Sequence, residues 1–138
     1  MVAAHVLDIL GETTGHHGFE LIQLSREGVT KASLNRLIQQ LDISQKEMAN
    51  LLHLSPRTIQ RMKETDRLPA AASGQLIEIA KVLGRAKEIL GDTEKAQIWL
   101  KSSVTAISGE QPIHLLDTPT GIQWVLDVLG RIEYGVYS

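Results

Sequence analysis

The sequence predicts an all-α protein, and three observations support this fold class. Apolar side chains recur three and four residues apart along most of the chain, which is the spacing of one face of an α-helix. Ser, Thr and Asp residues stand just before several of these apolar runs, where they can cap a helix N-terminus. We find no β-hairpin signal in the sequence and no internal repeat.

The first two predicted elements are short and are separated by a polar loop. Residues 1–10 form an apolar segment that fits either a helix or a strand, and the loop GETTGHHG follows it. We therefore expect residues 1–18 to be a loosely attached N-terminal segment. Apolar residues from Phe19 onwards predict a short helix over residues 19–26 that ends before Gly28. A clearer helix, over residues 31–41, begins after the N-cap Thr30 and has its leucines on one face.

The segment SQKEMANLLHLSPRTIQRM, residues 44–62, predicts two short helices joined by a sharp turn. Ser44 and Glu47 are spaced as a capping box that opens the first helix. Ser55 caps the second helix, and Pro56 follows at a position where a missing N–H is tolerated. The turn falls at His53, where helix-turn-helix proteins usually have Gly because the backbone requires a positive φ.

The second of these helices predicts a DNA-reading surface. Arg and Gln can read base edges in the major groove, while Ser, Thr and Lys can hold phosphates. Two amphipathic helices joined by a turn also occur in all-α proteins that never bind nucleic acid, so the residue pattern has to decide. The predicted DNA-binding residues are Ser44, Gln45, Ser55, Arg57, Thr58, Gln60, Arg61 and Lys63. Because a single module buries little surface, we expect a homodimer on half-sites about one helical turn apart.

Four further helices are predicted in the second half of the chain. The longest covers residues 74–90, begins at Ser73 and is apolar on several sides, which fits either a dimer interface or the hub of the core. Asp92 caps the next helix, in which Trp99 is expected to be buried. A short helix over residues 112–116 is followed, after the cap Thr118, by a helix over residues 120–134 in which Trp124 is expected to pack.

Composition and charge exclude several classes of protein. The chain has 138 residues, no cysteine and a net charge of −2, so a disulfide scaffold is excluded. Residues 26–67 carry eight basic and five acidic side chains, whereas residues 85–133 carry five basic and seven acidic. No stretch approaches the roughly 20 apolar residues that a membrane-spanning helix needs, and no signal peptide is predicted. We therefore expect a cytoplasmic location.

An enzymatic function is an alternative to the predicted DNA-binding function. Five His and sixteen acidic residues are present, but their spacing matches no metal-binding or phosphate-binding motif. His16 and His17 are adjacent in a Gly-rich loop, and His114 stands alone. We therefore predict no enzyme, no cofactor and no metal; a structural or adaptor protein stays open as a third class.

In its order of features the chain resembles the antitoxins called Xre, MbcA or ParS, which join an Xre-like helix-turn-helix domain to a C-terminal toxin-binding domain. The resemblance covers residues 19–138. It is carried by RTIQRMK, by RLPAAASGQL before a long helix, and by QPIHLLDTPTGIQWVLDVLGRIEYGVYS. Its most specific residues are Arg57, Thr58, Arg61, Pro112, Leu115, Leu116, Gly121, Val125, Leu129, Arg131, Ile132 and Gly135.

The resemblance implies a division of function along the chain. Residues 19–70 would form the DNA-binding domain and residues 71–138 the toxin-binding domain. The partner would be a RES-type toxin that destroys NAD, whose active site the antitoxin occludes, and the complex would repress its own promoter. The alternative is a helix-turn-helix repressor that has no toxin partner.

The end of the chain is apolar where chain ends are normally polar, so it either folds back or docks into a partner. The resemblance favours docking near the toxin's active-site cleft, with polar contacts from Arg131, Glu133 and the terminal carboxylate of Ser138. The predicted toxin-binding residues are Arg131, Glu133, Tyr134, Val136, Tyr137 and Ser138.

Overall fold

A computed structural model describes residues 2–11 and 17–135 and confirms the all-α fold class. The α-helices are α1 (Val2–Leu10), α2 (His17–Glu27), α3 (Lys31–Leu41), α4 (Gln45–Leu51), α5 (Pro56–Arg61), α6 (Ala70–Leu90), α7 (Thr93–Leu100) and α8 (Pro119–Glu133). Two 3-10 segments, Thr105–Ile107 and Pro112–Leu115, lie between α7 and α8. Within the described ranges there is no strand, and none of the helices is both long and apolar enough to cross a membrane.

The long helix α6 is the centre of the fold. It packs against α1, α2 and α3 from the first half of the chain and against α7 and α8 from the second half. Leu76, Ile79 and Leu83 are fully buried along its length. The broad apolar surface of α6 therefore forms the centre of the protein core. This is one of the two interpretations that the sequence left open.

The N-terminal helix corrects one expectation. Residues 1–18 were expected to be loosely attached, but Val6, Leu7, Ile9 and Leu10 of α1 are buried and pack in the main core. Two side chains of α3 also bond to the end of α1, since Ser33 Oγ donates to the Leu10 carbonyl and Gln40 Nε2 donates to the Ile9 carbonyl. The part of the segment that the structure describes is thus integrated with α3 and α6.

The predicted helix caps are largely confirmed. Thr30, Asp92 and Thr118 each accept a hydrogen bond from a backbone N–H in the first turn of the helix that follows. The long helix is the exception, because it begins at Ala70 and not at the predicted residues 73–74. Ser73 is fully buried, and its hydroxyl accepts from Val29 N–H at 2.8 Å and donates to the Leu68 carbonyl. A tertiary contact therefore uses the side chain that was expected to cap the helix.

The buried side chains do not divide into two domains at residue 70. One continuous hydrophobic cluster contains residues from α1 to α6 together with Ala96, Leu100, Ile113, Val125 and Leu129. A smaller cluster of Val104, Ile107 and Val128 lies beside it. Trp99, which was expected to be buried, is half-buried and packs against both clusters. The division into residues 19–70 and 71–138 therefore stays a functional prediction.

The turn between α4 and α5 is tied to the second half of the chain. His53 has φ 58°, the left-handed conformation that glycine usually supplies at this position. Its Nε2 lies 2.6 Å from the carbonyl oxygen of Asp117, just before α8. A carbonyl oxygen can only accept, so Nε2 carries the hydrogen in this contact. This hydrogen bond is a physical reason for a histidine at a turn position where glycine is usual.

This contact leads to a prediction about two substitutions of His53. His53→Ala removes the hydrogen bond and keeps a side chain at positive φ, so we expect a loss of about 1 kcal/mol in the free energy of unfolding. His53→Gly also removes the bond but relieves the backbone strain by about 1 kcal/mol, so its net effect should be small. Urea unfolding monitored by circular dichroism measures both values. Equal destabilisation by Ala and Gly would contradict this account.

Candidate DNA and toxin interfaces

The helix-turn-helix is built as the sequence predicted. The Ser44 hydroxyl accepts from Glu47 N–H at 3.0 Å, and the Glu47 carboxylate accepts from Ser44 N–H at 3.4 Å, which completes the capping box. Ser55 accepts from Arg57 N–H at 3.2 Å, and Pro56 is the first residue of α5. Ile59 is fully buried, which fixes the rotation of α5 and turns its polar residues outward.

The predicted DNA-binding residues lie on the surface around α5. All of them are exposed except Gln45, which is half-buried. In the described part of the chain, the guanidinium groups of Arg57 and Arg61 form no ion pair and no side-chain hydrogen bond. These two cations are therefore available to an anionic ligand without breaking an internal contact.

The segment that follows α5 is held by polar contacts to α3. Lys31 Nζ donates to the Met62 carbonyl at 2.8 Å, and Ala32 N–H donates to the Glu64 carbonyl at 3.1 Å. Thr30 and Arg67 form an isolated antiparallel bridge beside them. These bonds anchor the exit of α5 on a buried helix, so the exposed face of α5 rests on a rigid support.

The predicted toxin-binding residues fall into three groups. Arg131 and Tyr134 are exposed at the end of α8, and Tyr134 is 78% exposed. Glu133 points to α6, where its carboxylate receives two hydrogen bonds from the Arg85 guanidinium, at 2.6 and 3.0 Å. Residues 136–138 lie outside the described part of the structure. Arg131 and Tyr134 are therefore described, exposed and unpaired, whereas Glu133 is exposed but already paired with Arg85.

The ion pair between Arg85 and Glu133 was not foreseen. Hydrogen bonding to Arg85 lowers the pKa of the Glu133 carboxyl, and the same hydrogen bonds raise the pKa of Arg85. Arg85 also reaches Glu88 at 3.2 Å, so its charge is shared by two carboxylates. The pair ties the last turn of α8 to α6. Its partners are 48 residues apart, and no local sequence signal links them.

Trp124 corrects a second expectation. This side chain was expected to pack in the core, but it is 47% exposed on α8. Its neighbour Val125 is the buried residue of the pair, because successive helical positions differ by about 100° in direction. With Val125 and Leu129 in the core, the helical spacing places Trp124 at the edge of the buried face.

The described residues provide no cluster of three or more His, Asp or Glu side chains able to hold a metal ion. Charged side chains form surface ion pairs, such as Lys81 with Glu78 and Lys101 with Asp42. The exposed surfaces of α5 and α8 are therefore the candidate functional sites.

Two family models match the chain in consecutive ranges. The antitoxin Xre-like helix-turn-helix domain matches residues 20–81, and the antitoxin Xre/MbcA/ParS C-terminal toxin-binding domain matches residues 85–135. The first match includes α5, and the second includes α8. Together they account for most of the chain.

Curated relatives agree with both matches. The "Prs ADP-ribosylating antitoxin" of Sphingobium sp. (strain YBL2) is 28% identical in an alignment of 127 residues that covers 85% of this chain and 80% of that protein. The "Antitoxin Xre" of Yersinia enterocolitica serotype O:8 / biotype 1B is 29% identical over 98 residues, 70% of this chain and 66% of that protein.

A solved structure shows the same fold. A chain in the crystal structure of the M. tuberculosis MbcT-MbcA toxin-antitoxin complex superposes with a TM-score of 0.55 at 23% identity, covering 78% of this chain and 95% of that chain. The matched domains, the curated relatives and the fold lead to one conclusion: this chain belongs to the Xre/MbcA/ParS family of antitoxins.

Proposed function

We propose that this antitoxin neutralises a RES-type toxin by covering the toxin's active site and that it represses its own promoter. The observation that carries the proposal is the match of residues 85–135 to a toxin-binding domain, in which α8 presents exposed Arg131 and Tyr134. These side chains are of the types enriched at protein interface hot spots. Val136, Tyr137 and Ser138 remain proposed contacts of the same interface.

The proposed toxin consumes NAD. The family resemblance points to a toxin that degrades NAD, and the name of the Sphingobium relative refers to ADP-ribosylation. Both reactions break the bond between nicotinamide and ribose; water accepts the ADP-ribose in hydrolysis, and a protein side chain accepts it in ADP-ribosylation. We propose hydrolysis for the toxin partner of this chain. Steric exclusion of NAD by the antitoxin would stop either reaction.

The proposed repression uses α5 in the major groove. Arg57 and Arg61 bind phosphate or guanine, Thr58 and Gln60 reach base edges, and Ser44 with Gln45 contacts the backbone. A six-residue reading helix covers few base pairs, so two copies act on half-sites about one helical turn apart. The proposed complex is therefore a cytoplasmic assembly of toxin with an antitoxin homodimer.

Co-expression with the adjacent gene tests this function. The reading frame next to the antitoxin gene, induced alone, should arrest growth and lower cellular NAD, and induction of this chain should restore both. A growth arrest with unchanged NAD and ADP-ribose on a cellular protein would assign the toxin to the transfer reaction. Absence of any toxic neighbour, combined with promoter binding by this chain alone, would favour the repressor without a toxin partner.

A further inference from the structure

We propose that the toxin-contacting surface extends up α8 to Trp124, so that an exposed stripe of Trp124, Asp127, Arg131 and Tyr134, the α8 stripe, forms the main anchor for the toxin. This inference rests on the proposed function and adds the surface and the partner chemistry. The partner surface it requires is an apolar groove for two aromatic rings, with a carboxylate placed to meet Arg131.

Helix geometry places these four residues on one side of α8. They are separated by three, four and three residues, the spacing of a single helix face. All four are exposed, while Val125 and Leu129 on the other side are buried and Val128 is buried at the border of the stripe. The stripe is therefore a continuous strip of surface that runs to the C-cap of α8 at Tyr134.

The chemistry of the stripe is that of an interface core. Trp124 is 47% exposed and Tyr134 is 78% exposed, although these large aromatic side chains gain free energy when removed from water. Arg131 lies between them and forms no ion pair with any described residue. Trp, Tyr and Arg are the three residue types most enriched at hot spots.

The family match supports a protein toxin as the occupant. The stripe lies wholly within the range matched by the toxin-binding domain, and it includes Arg131 and Tyr134 of the proposed interface. Nucleic acid does not fit, because residues 85–133 carry more acidic than basic side chains and Asp127 is part of the stripe. A second copy of this chain is the remaining occupant, and the test below separates the two.

The ion pair on the opposite side of α8 supports this assignment. Glu133 is two residues, or about 200°, from Arg131 on the helix, and Arg85 holds it against α6. This contact fixes the rotation of the last turn, so Arg131 and Tyr134 are kept on the exposed side. Glu133 thus helps to position the end of α8, and its exposed carboxylate stays a predicted toxin contact.

Binding measurements on full-length variants test the proposal. The probe is the toxin encoded beside this chain, purified from the complex, with its Kd measured by calorimetry and its neutralisation measured by growth. Trp124→Ala should raise the Kd by about 30-fold or more, as expected for a hot-spot residue. Phe19→Ala, which removes an aromatic side chain of similar exposure from α2, should leave the Kd unchanged. Thermal unfolding of both variants verifies that the fold is retained.

Fluorine NMR provides a second readout. Trp99 and Trp124 are the only tryptophans in the chain, so labelling the antitoxin with 5-fluorotryptophan gives two resonances, which Trp124→Phe assigns. Unlabelled toxin should shift the Trp124 resonance.

Each outcome has a defined meaning. If wild type binds and neutralises while Trp124→Ala binds equally well and the resonance stays in place, the α8 stripe is overturned and the antitoxin function stands. If Trp124→Ala instead converts a dimer to a monomer without changing toxin affinity, the occupant is a second copy and the proposal is also overturned. Failure of wild type to bind the toxin would overturn both proposals.

Discussion

Replacement of Arg57 and Arg61 by Ala in one variant is expected to abolish specific binding to the promoter and to leave toxin neutralisation intact. Both side chains are exposed on α5, and in the described part of the chain neither is engaged in an ion pair. Each lost contact to phosphate or guanine removes about 1–3 kcal/mol. The double substitution should therefore raise the Kd for promoter DNA by about 30-fold or more.

Electrophoretic mobility shift with the upstream DNA, repeated at several salt concentrations, measures this effect. The matched control is Arg26→Ala with Lys95→Ala, which removes the same charge from exposed positions on α2 and α7. The control should retain binding, because only contacts at the DNA surface release counterions. Promoter binding by the α5 variant at wild-type affinity would mean that the reading helix is assigned incorrectly.

Neutralisation by the α5 variant should equal that of wild type. The two substituted arginines lie on α5, whereas the proposed toxin surface lies on α8. The only described hydrogen bond between the turn before α5 and the segment before α8 is made by His53. Growth rescue in cells that express the toxin checks this half of the prediction.

Gly121→Ala should have the largest effect on stability. Gly121 lies in the first turn of α8, and a Cβ built there would overlap the Leu115 carbonyl oxygen and lie 2.9 Å from the Leu115 carbonyl carbon. Both atoms are backbone, so the clash can be relieved only by moving α8 away from the preceding 3-10 segment. We expect a loss of about 3 kcal/mol or more in the free energy of unfolding, together with loss of neutralisation.

Gly130→Ala is the matched control for this prediction. Gly130 lies in the same helix, and a Cβ added there would have no neighbour within 4 Å. Alanine is the better helix former by about 1 kcal/mol. Urea unfolding should therefore show that Gly130→Ala is neutral or stabilising. Equal stability of the two variants would show that α8 does not approach Leu115 as closely as described.

The elements that the sequence predicted correctly are those determined within a few residues. The capping box of Ser44 and Glu47, the Ser55 cap and the Thr118 cap depend on hydrogen bonds between groups two or three residues apart. The same holds for the positive φ of His53, which follows from the geometry of a tight turn. For these features, the spacing of residues along the sequence was sufficient to predict the structure.

Features that depend on distant partners were missed. Ser73 was expected to cap α6, but it bonds to Val29, 44 residues earlier. The pairing of Glu133 with Arg85 on another helix was not predicted either, and the expected toxin contact of Glu133 stays a prediction. In both cases the sequence shows a polar side chain that can form hydrogen bonds. Its partner depends on the packing of distant segments, which the sequence alone does not show.

The exposed face of α8 illustrates a different limit. An aromatic residue in an apolar helix fits both a core and an interface, and only the direction of its neighbours separates the two. With Val125 and Leu129 in the core, Trp124 lies at the edge of the buried face and is 47% exposed. The helical spacing that orients Trp124 can be read from the sequence. It is difficult to recognise there because most residues of α8 are apolar.

Because α6 packs against helices from both halves of the chain, the proposed repression and the proposed neutralisation both depend on this one helix. A protease that cuts α6, or a mutation that unfolds it, should abolish both in the same event. Under the two proposals, the operon would be derepressed at the moment the toxin is released, so the synthesis of new antitoxin would be coupled to the loss of the old molecules.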